Sequence, residues 1–358
     1  MAEVTKEKIA KPKKMADPIA ASIDVATQVM IVRAQELGID TVFDRAVTMK
    51  PCNIGMQGTC CKNCSMGPCR LPLPKAGIEG EDTRKGLCGA TANTIAARNF
   101  IRMVAGGASA HSDHGRSVAE VFLSVARKEA EDYKIKDTDK LLAVAPHLGV
   151  ATTVEKDGEV LDRALDEIAL EVAEKAMNEW GKPEGELLYL KRAPEALYEK
   201  WKKNGVLPRN IDREIVEIMH RTHMGVDQDY KNLIKQGTRA AIADGWGGSM
   251  LATDLQDILF GTPSPIQSEA NLGVMKEDHV NIIVHGHEPV LSEMIVAAAQ
   301  SKEMHEYAVS KGARGIQLGG ICCTANEILQ RHGVPTAATF LQQELAIITG
   351  ACDAMVVD

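Results

Sequence analysis

The sequence contains no apolar stretch close to the roughly 18 uninterrupted residues that a membrane-spanning helix needs. The basic start is not followed by the apolar core of a signal peptide, because Asp17 and Asp24 interrupt that region. Positive charge is not in excess either: the formal net charge is −8, which argues against a nucleic-acid-binding surface. Aromatic residues make up only 4% of a composition that is otherwise typical of a globular protein. These absences predict a cytoplasmic protein without a membrane span and without a nucleic-acid partner.

With 358 residues the chain is too long for one ordinary core, so two domains are expected. Residues 1–16 are polar and basic, and they predict a frayed tail. A helix is predicted to begin at Asp17-Pro18, because Asp caps helices and Pro favours the first turn. Gly38 is expected to end this helix. The apolar residues that recur with the helical period are Ile19, Ile23, Ala26, Met30 and Ala34.

From residue 91 to about 260 the sequence is mostly of helical type. Val118, Val121, Phe122 and Val125 form one such apolar stripe. Turn signals divide this region at 156-KDGE, 181-GKPEGE and 203-KNG, and 261-GTPSPI-266 is typical of a domain boundary. The preceding segment 51–90 is rich in Gly and Pro, and it predicts a loop. The sequence therefore predicts a helical domain over residues 17–265 that contains the loop 51–90.

After the boundary, short runs rich in β-branched residues alternate with amphipathic stretches. The predicted strands are 279–286, 313–321 and 352–358, and the predicted helices are 289–311, 324–333 and 341–349. Such alternation predicts a parallel sheet with helical crossovers, which makes residues 266–358 a Rossmann-like α/β domain. We expect this domain to be incomplete, because the sequence stops inside an apparent strand.

Cysteine is abundant in one place, since six of the nine cysteines lie between residues 52 and 88. Thiols stay reduced in the cytosol, so such a cluster indicates a metal or redox centre. Four of them, in the spacing Cys61-x2-Cys64-x4-Cys69-x18-Cys88, can hold either zinc or an iron–sulfur cube. The surrounding glycines favour the cube, because they let backbone N–H groups approach bridging sulfides.

Cys52 and Cys60 remain outside this set of four. Two thiolates are half of what a cluster requires, and a two-fold dimer axis would bring two more from a second subunit. One hypothesis is therefore a cluster shared across a homodimer. The alternative is that both are buried, inert thiols.

The segment PCNIGMQGTCCKNCSMGPCR, followed by GLCGA, resembles the cluster region of nickel-dependent anaerobic carbon monoxide dehydrogenases. The resemblance continues through ASAHSDHGR, HRTHMGVDQDY, VHGHEPVLSE and GGICCTANEI. It implies that Cys61, Cys64, Cys69 and Cys88 hold a [4Fe-4S] cluster. It also implies that Cys52 and Cys60 share a bridging cluster, either [4Fe-4S] or smaller, with a second subunit.

The active site of this family is a nickel–iron–sulfur cluster, and the resemblance maps two of its metal ligands onto His287 and Cys323. Both follow predicted strands, where open α/β sheets build their sites. His285 and Cys322 are the alternative ligands. Cys352 is expected to be a buried thiol.

The resemblance makes His111 and His114 catalytic, as histidines that move protons on one helix face. The next two positions at this spacing are Ser117 and Glu120, so the relay is expected to be shorter, bridged by water or ended by Glu120. The implied reaction is the reversible conversion of CO and water to CO2, two protons and two electrons. The electrons leave through the [4Fe-4S] clusters to a ferredoxin-like carrier.

The family's chain runs to about twice this length, and its further cluster ligands come later. We therefore expect these 358 residues alone to lack CO oxidation. Two other functions stay open: a hydroxylamine reductase of the hybrid-cluster type, and a non-catalytic iron–sulfur electron-transfer protein. The sequence leaves the physiological role and an acetyl-CoA synthase partner undecided.

Overall fold

The computed structural model describes residues 14–74, 82–130 and 133–358, and it contains two compact units. One unit comprises the described residues up to Lys50 together with Ser264–Asp358, and the other is Pro51–Pro263. The predicted tail lies outside the described residues except for 14–16. Ala16 does not belong to a frayed tail, because it is buried and its N–H donates to Asp44 at 2.9 Å.

The first described helices are α1 (Pro18–Ala21), α2 (Val25–Glu36) and α3 (Val42–Thr48). Asp17 caps α1 as predicted, but the single predicted helix is broken after four residues. Ser22 leaves the helical conformation with φ −154°, and Asp24 caps a new helix by accepting from Thr27 N at 2.8 Å. The hydrogen bond from Thr27 N to the Asp24 side chain therefore starts a second helix, although the apolar residues continue with a helical period through this point.

The unit Pro51–Pro263 is mainly helical and is organised around one long helix. It contains the helices α4 (Asn53–Met56), α5 (Ala92–Ala126), α6 (Thr138–Val144), α7 (Leu165–Gly181), α8 (Glu195–Asn204), α9 (Ile211–Arg221), α10 (Tyr230–Ala243) and α11 (Ala252–Phe260). Its strands are β1 (Cys60–Cys61), β2 (Cys69–Arg70), β3 (Thr153–Lys156) and β4 (Glu159–Asp162). A π-helical segment, Asp244–Leu251, joins α10 to α11.

Helix α5 spans 35 residues and packs against α7, α9, α10 and α11. The predicted stripe faces this core: Val118 and Phe122 are fully buried, and Val125 is nearly so. Gly115 allows a close approach, because a Cβ there would lie 2.8 Å from the carbonyl oxygen of Gly248. None of the described helices combines the length and the apolar composition needed to cross a membrane.

The structure corrects the helical prediction between residues 153 and 162. Strands β3 and β4 form an antiparallel hairpin, and its turn is the predicted 156-KDGE signal. Asp157 and Gly158 both have positive φ values, of 54° and 83°, as a two-residue hairpin turn requires. Both strands are exposed along their length, so they lack the apolar alternation that reveals a strand in sequence.

The other unit carries a four-stranded parallel sheet. Its remaining elements are β5 (Val280–Gly286), α12 (Pro289–Ala299), α13 (Lys302–Ser310), β6 (Ile316–Cys322), α14 (Cys323–His332), β7 (Thr336–Ala338), α15 (Gln343–Ile348) and β8 (Ala354–Val357). The strand order is β7-β6-β5-β8, with Gly286 opposite Cys322 in the register. The predicted helix 289–311 is two helices, and β7 was not predicted.

Alternate residues of the strands serve two cores on opposite faces of the sheet. Ile283 and Ile321 pack on one face, whereas Val284 and Leu318 pack on the other. The first of these cores includes Ile31 and other residues of the amino-terminal helices. The predicted division into 17–265 and 266–358 therefore differs from the structure, because α1–α3 belong to the unit that contains the sheet.

Candidate metal centres

The four cysteines of the predicted set line one cavity in the helical unit. Strands β1 and β2 pair Cys61 with Cys69, which closes the loop that carries Cys64. The segment that follows brings Cys88 to the same cavity, next to Gly86, whose missing side chain leaves room for Cys69. A Cβ on Gly86 would lie 3.4 Å from Cys69 Sγ. The structure thus brings together the complete predicted set of four.

Hydrogen-bond donors surround these thiols. The backbone N–H of Leu87 donates to Cys69 Sγ at 3.5 Å, and the Arg98 guanidinium donates to Cys88 Sγ at 3.5 Å. Asn63 Nδ2 and Arg98 Nε belong to the cavity-lining residues, are shielded from solvent and have no hydrogen-bond partner in the described structure. Buried donors of this kind fit a group that offers further acceptors, such as the inorganic sulfides of an iron–sulfur cluster.

The electrostatics of the cavity favour a thiolate at Cys88. Burial acts to raise the pKa of this thiol, but hydrogen bonds from Arg98, from the backbone N–H groups of Ala90 and Gly225 and from Gln228 lower it to about 7. Because the thiolate is the form that binds metals, Cys88 is prepared for ligation.

The spacing of the four thiols also bears on the choice between zinc and a cluster. Across residues 14–74, 82–130 and 133–358, no three side chains of His, Cys, Asp or Glu converge closely enough for one metal ion. Zinc requires four sulfur atoms at about 2.3 Å from one point. Four thiols that line one cavity, with the unpartnered donors of Asn63 and Arg98 beside them, fit an iron–sulfur cube.

Cys52 and Cys60 do not line this cavity. Cys52 is exposed and precedes α4, where the backbone N–H groups of Gly55 and Ile54 lower the pKa of its thiol. Cys60 is half-buried in β1, next to Cys61. The exposed position of Cys52 disagrees with the alternative of two buried, inert thiols.

The second predicted site lies where β5 and β6 of the α/β unit end. His285 Nε2 lies 3.2 Å from Cys322 Sγ, and both residues are at least partly buried. Burial lowers the pKa of His285, with a further contribution from His287, whereas burial and the adjacent Cys323 raise the pKa of Cys322. Both groups are therefore held mainly in their neutral forms, as a hydrogen-bonded pair.

The backbone at this edge turns sharply between strand and helix. Cys322 adopts φ +69° and ψ −146°, a region that residues other than glycine rarely occupy, and Cys323 starts α14. Gly286 ends β5 with φ +136°, and a Cβ there would collide with the Asp358 carboxylate. His287 and Cys323 are both exposed beyond these turns.

Asp358 connects the residues of this edge, and the sequence analysis did not identify it. Its carboxylate accepts from His287 N at 2.8 Å and from Glu288 N. Burial raises the pKa of Cys323, and the negative charges of Glu327 and Asp358 raise it further. Only the parallel pairing of β8 with β5 places Asp358 here, since no local motif marks it.

His111 and His114 both lie on α5 in the helical unit. His111 is exposed, and its Nδ1 lies 2.7 Å from Asp244 Oδ1 and 3.2 Å from Ser249 Oγ. His114 is half-buried and borders a separate open cleft, whose lining residues do not include His111. Asp244 and Ser249 were missed because only the π-helical segment brings them to α5.

A family model described as the prismane/CO dehydrogenase family matches residues 59–358. This chain belongs to that family. The matched range includes the four cavity cysteines, both histidines of α5 and the strand-end residues of the α/β unit. Cys52 lies outside the matched range.

Family members with established names are similar over nearly the whole chain. Carbon monoxide dehydrogenase 1 of Methanosarcina acetivorans is 52% identical over 339 residues, which are 94% of this chain and 52% of the relative. A nickel-free crystal structure of carbon monoxide dehydrogenase from Thermococcus sp. AM4 has a TM-score of 0.88 and 48% identity, covering 100% of this chain and 54% of that chain.

A structure of acetyl-CoA synthase/carbon monoxide dehydrogenase, described for NiZn[Fe4S4] and NiNi[Fe4S4] clusters in its alpha subunits, has a TM-score of 0.86. It is 42% identical and covers 98% of this chain and 50% of that chain. The chain therefore spans about half the length of the curated relatives that it matches. The predicted family membership and the combination of helices with a parallel α/β sheet are confirmed.

Proposed function

We propose that this chain belongs to a nickel–iron–sulfur carbon monoxide dehydrogenase, which converts CO and water reversibly to CO2, two protons and two electrons. The observation that carries this proposal is the cavity lined by Cys61, Cys64, Cys69 and Cys88 with donors around the thiols. Membership of the prismane/CO dehydrogenase family and relatives named carbon monoxide dehydrogenase support it.

The four cavity cysteines would hold a [4Fe-4S] cluster that passes electrons onward. Cys60 adjoins Cys61 in β1, and the exposed Cys52 is open to a second copy of the chain. Cys52 and Cys60 of two subunits would thus hold a shared cluster close to the first one. From there the electrons would leave to a ferredoxin-like carrier in the cytoplasm.

The strand-end site would supply His287 and Cys323 as ligands of the nickel–iron–sulfur cluster, which when bound activates CO and water and accepts two electrons. His285 and Cys322 bond to each other, and this contact supports their role as the supporting pair rather than as ligands. The strand order β7-β6-β5-β8 supports a Rossmann-like unit, in which such sites lie beyond the carboxyl ends of the strands.

His111 would take up and release protons of the reaction. The Asp244 carboxylate next to Nδ1 favours a proton on that nitrogen, which leaves Nε2 as the acceptor. His114 follows on the same helix and would continue the proton route. Asp244 and Ser249 would fix the orientation of the imidazole ring.

Anaerobic purification followed by counts of iron, sulfide, zinc and nickel tests the cluster assignment. One [4Fe-4S] cluster plus half of a shared one predicts about six irons and six sulfides per chain. Zinc without sulfide would end the iron–sulfur assignment. The chain as it stands should show no CO oxidation, because His287 and Cys323 are too few ligands for a multi-metal cluster.

CO-dependent dye reduction tests the active site in protein that carries the family's full ligand set. His287→Ala should abolish this activity, because the variant loses a metal ligand. His305→Ala changes an exposed histidine of α13 in the same unit and should leave the activity unchanged. Retained turnover in His287→Ala would remove His287 from the site.

The family description also includes prismane proteins, which keeps a hydroxylamine reductase of the hybrid-cluster type as a second candidate. Such an enzyme has no need for the Cys52 and Cys60 pair. Loss of about two irons per chain in Cys52→Ser would favour the dehydrogenase, whereas unchanged iron would favour the second candidate.

A further inference from the structure

Among the residues that the structure describes, Arg98, near the start of α5, is a buried cation without a carboxylate partner. Only 1% of its surface is exposed. Its Nη1 donates to Cys88 Sγ at 3.5 Å, and its Nη2 donates to the carbonyl oxygen of Asp227 at 2.7 Å. Its Nε has no hydrogen-bond partner within the described structure.

The carboxylate of Asp227, the residue whose carbonyl oxygen accepts from Arg98, does not neutralise this charge. The side chain of Asp227 is directed elsewhere: its Oδ2 lies 3.7 Å from Arg221 and accepts from Asn232 at 2.9 Å. Among the described residues Arg98 forms no ion pair with Asp or Glu. A buried charge costs free energy unless an opposite charge compensates it. We therefore expect an anion in the cavity that Arg98 lines.

An iron–sulfur cube held by four thiolates meets this requirement. Such a cube is anionic in both oxidation states and gains one further negative charge on reduction. Because a fixed cation stabilises the more negative state more strongly, it makes the cube easier to reduce. The low dielectric constant around a residue that is 1% exposed strengthens this effect.

We propose that Arg98 is the fixed counter-charge of the iron–sulfur cluster in the cavity of Cys61, Cys64, Cys69 and Cys88. In this role it raises the reduction potential of that cluster and favours its assembly. The inference rests on the proposed function, since it requires a cluster in this cavity. It makes Arg98 a positioning and charge-compensating residue and not a metal ligand.

Arg102 provides a matched control four residues further along α5. Its Nε donates to Thr222 Oγ1 at 2.7 Å and its Nη2 donates to the Met219 carbonyl oxygen at 3.4 Å. Neither of these two bonds involves a cysteine. The same neutral substitution at both positions therefore separates charge next to the cluster from charge elsewhere on the helix.

The experiment compares the wild-type chain with Arg98→Gln, Arg98→Lys and Arg102→Gln after purification without air. Iron and sulfide are counted, and a dithionite titration followed by electron paramagnetic resonance gives the reduction potential. The signal that Cys88→Ser removes belongs to the cavity cluster. Arg98→Gln should make the reduction potential of this cluster more negative by at least 59 mV. For a one-electron couple this shift is a tenfold change in the ratio of oxidised to reduced cluster at a given potential.

Arg98→Lys keeps the charge and should shift the potential less, and Arg102→Gln should not shift it. If Arg98→Gln loses the cluster while Arg98→Lys retains it, the charge is needed for assembly, which also supports the proposal. An unchanged potential in Arg98→Gln overturns it. The proposal is also overturned if Arg98→Gln and Arg98→Lys lose the cluster equally or shift its reduction potential equally. The shape of the arginine side chain, and not its charge, would then explain the effect. A wild-type chain without iron and sulfide would instead refute the proposed function.

Discussion

The cysteine cavity of the helical unit and the strand-end site of the α/β unit are built in opposite ways. All four thiols of the cavity come from residues 61–88: β1 and β2 close the loop that carries Cys64, and the following segment supplies Cys88. At the strand ends, the contacting residues His285 and Cys322 are 37 positions apart, and Asp358 is 71 positions from His287. The first site is therefore a product of local chain geometry, and the second is a product of strand register.

The contacts that hold the two sites in place also differ. The loop of the cavity is held by Asn99, whose amide donates to the carbonyl oxygens of Gly58 and Cys60 at 2.8 and 3.0 Å. The strand-end site depends on the pairing of Gly286 with Cys322 and on β8 beside β5. A site built within one segment should tolerate changes in the sheet of the other unit, whereas a site built by strand register should fail when that sheet is disturbed.

The largest difference is expected in metal content after loss of one cysteine. Cys61→Ser should reduce iron in the 358-residue chain from about six to about two per chain, because a cube lacking one thiolate is not retained. Cys323→Ser should leave about six irons, because its site is not needed for the electron-transfer clusters. Iron and sulfide analysis without air measures both.

Cys352→Ser is the control for general loss of a thiol. Cys352 is half-buried, and its thiol donates to the Ala354 carbonyl oxygen at 3.4 Å. Equal iron losses in Cys61→Ser and Cys323→Ser would contradict the conclusion that the cysteine cavity and the strand-end site are built independently.

A smaller effect is expected from Gly320→Ala in β6. The new Cβ would lie 2.5 Å from Cα of Ala325 in α14, so the helix that begins with Cys323 must move. Overpacking of this kind costs about 1–3 kcal/mol in the free energy of unfolding. Urea unfolding measures this cost, while the iron of the cavity cluster should stay unchanged.

Gly181→Ala is the matched substitution, since a Cβ at Gly181 meets no atom within 4 Å. It should change the free energy of unfolding by less than about 0.5 kcal/mol. A loss of cavity iron in Gly320→Ala would show that the two sites do not depend on separate supports.

The smallest effects concern pH. Burial lowers the pKa of His147 in the helical unit, as does the charge of Arg192, and burial lowers the pKa of His285 in the α/β unit. Below pH 6.5 these two histidines therefore bind more protons in the unfolded chain than in the folded one, so their contribution to the stability of each unit decreases as pH falls through this range. Urea unfolding of the wild type and of His147→Gln at about pH 7.5 and 5.5 should show a weaker pH dependence in the variant.

Asp44 contributes a further loss of stability at acid pH in the α/β unit. Its burial acts to raise the pKa of the carboxyl, but hydrogen bonds from Ala16, Thr41 and Gln35 outweigh this and lower it below 3.8. The stabilising contribution is present above 3.8 and disappears as pH falls further. Asp44→Asn should remove this acid-dependent loss, and an unchanged acid transition would contradict the assignment.

The sequence predicted three of the four strands of the sheet, because each of these three is a short apolar run between turn signals. Val280–Gly286 and Ile316–Cys322 lie inside the predicted ranges, apart from the final residue of the second strand. It did not predict β7, whose three residues are too few to show a period, or the exposed hairpin of β3 and β4. It also missed the break between α1 and α2, where Asp24 caps a new helix.

The sequence by itself indicated the four thiols of the cavity, because they lie within 28 positions of one continuous segment with glycines between them. It also placed the carboxyl ends of β5, β6 and β8 to within one residue. Only the tertiary structure decided that Arg98 is buried beside Cys88, that Asp244 contacts His111 and that Asp358 joins the strand ends. These contacts join residues far apart in the chain, and packing and strand register, which no local pattern encodes, bring them together.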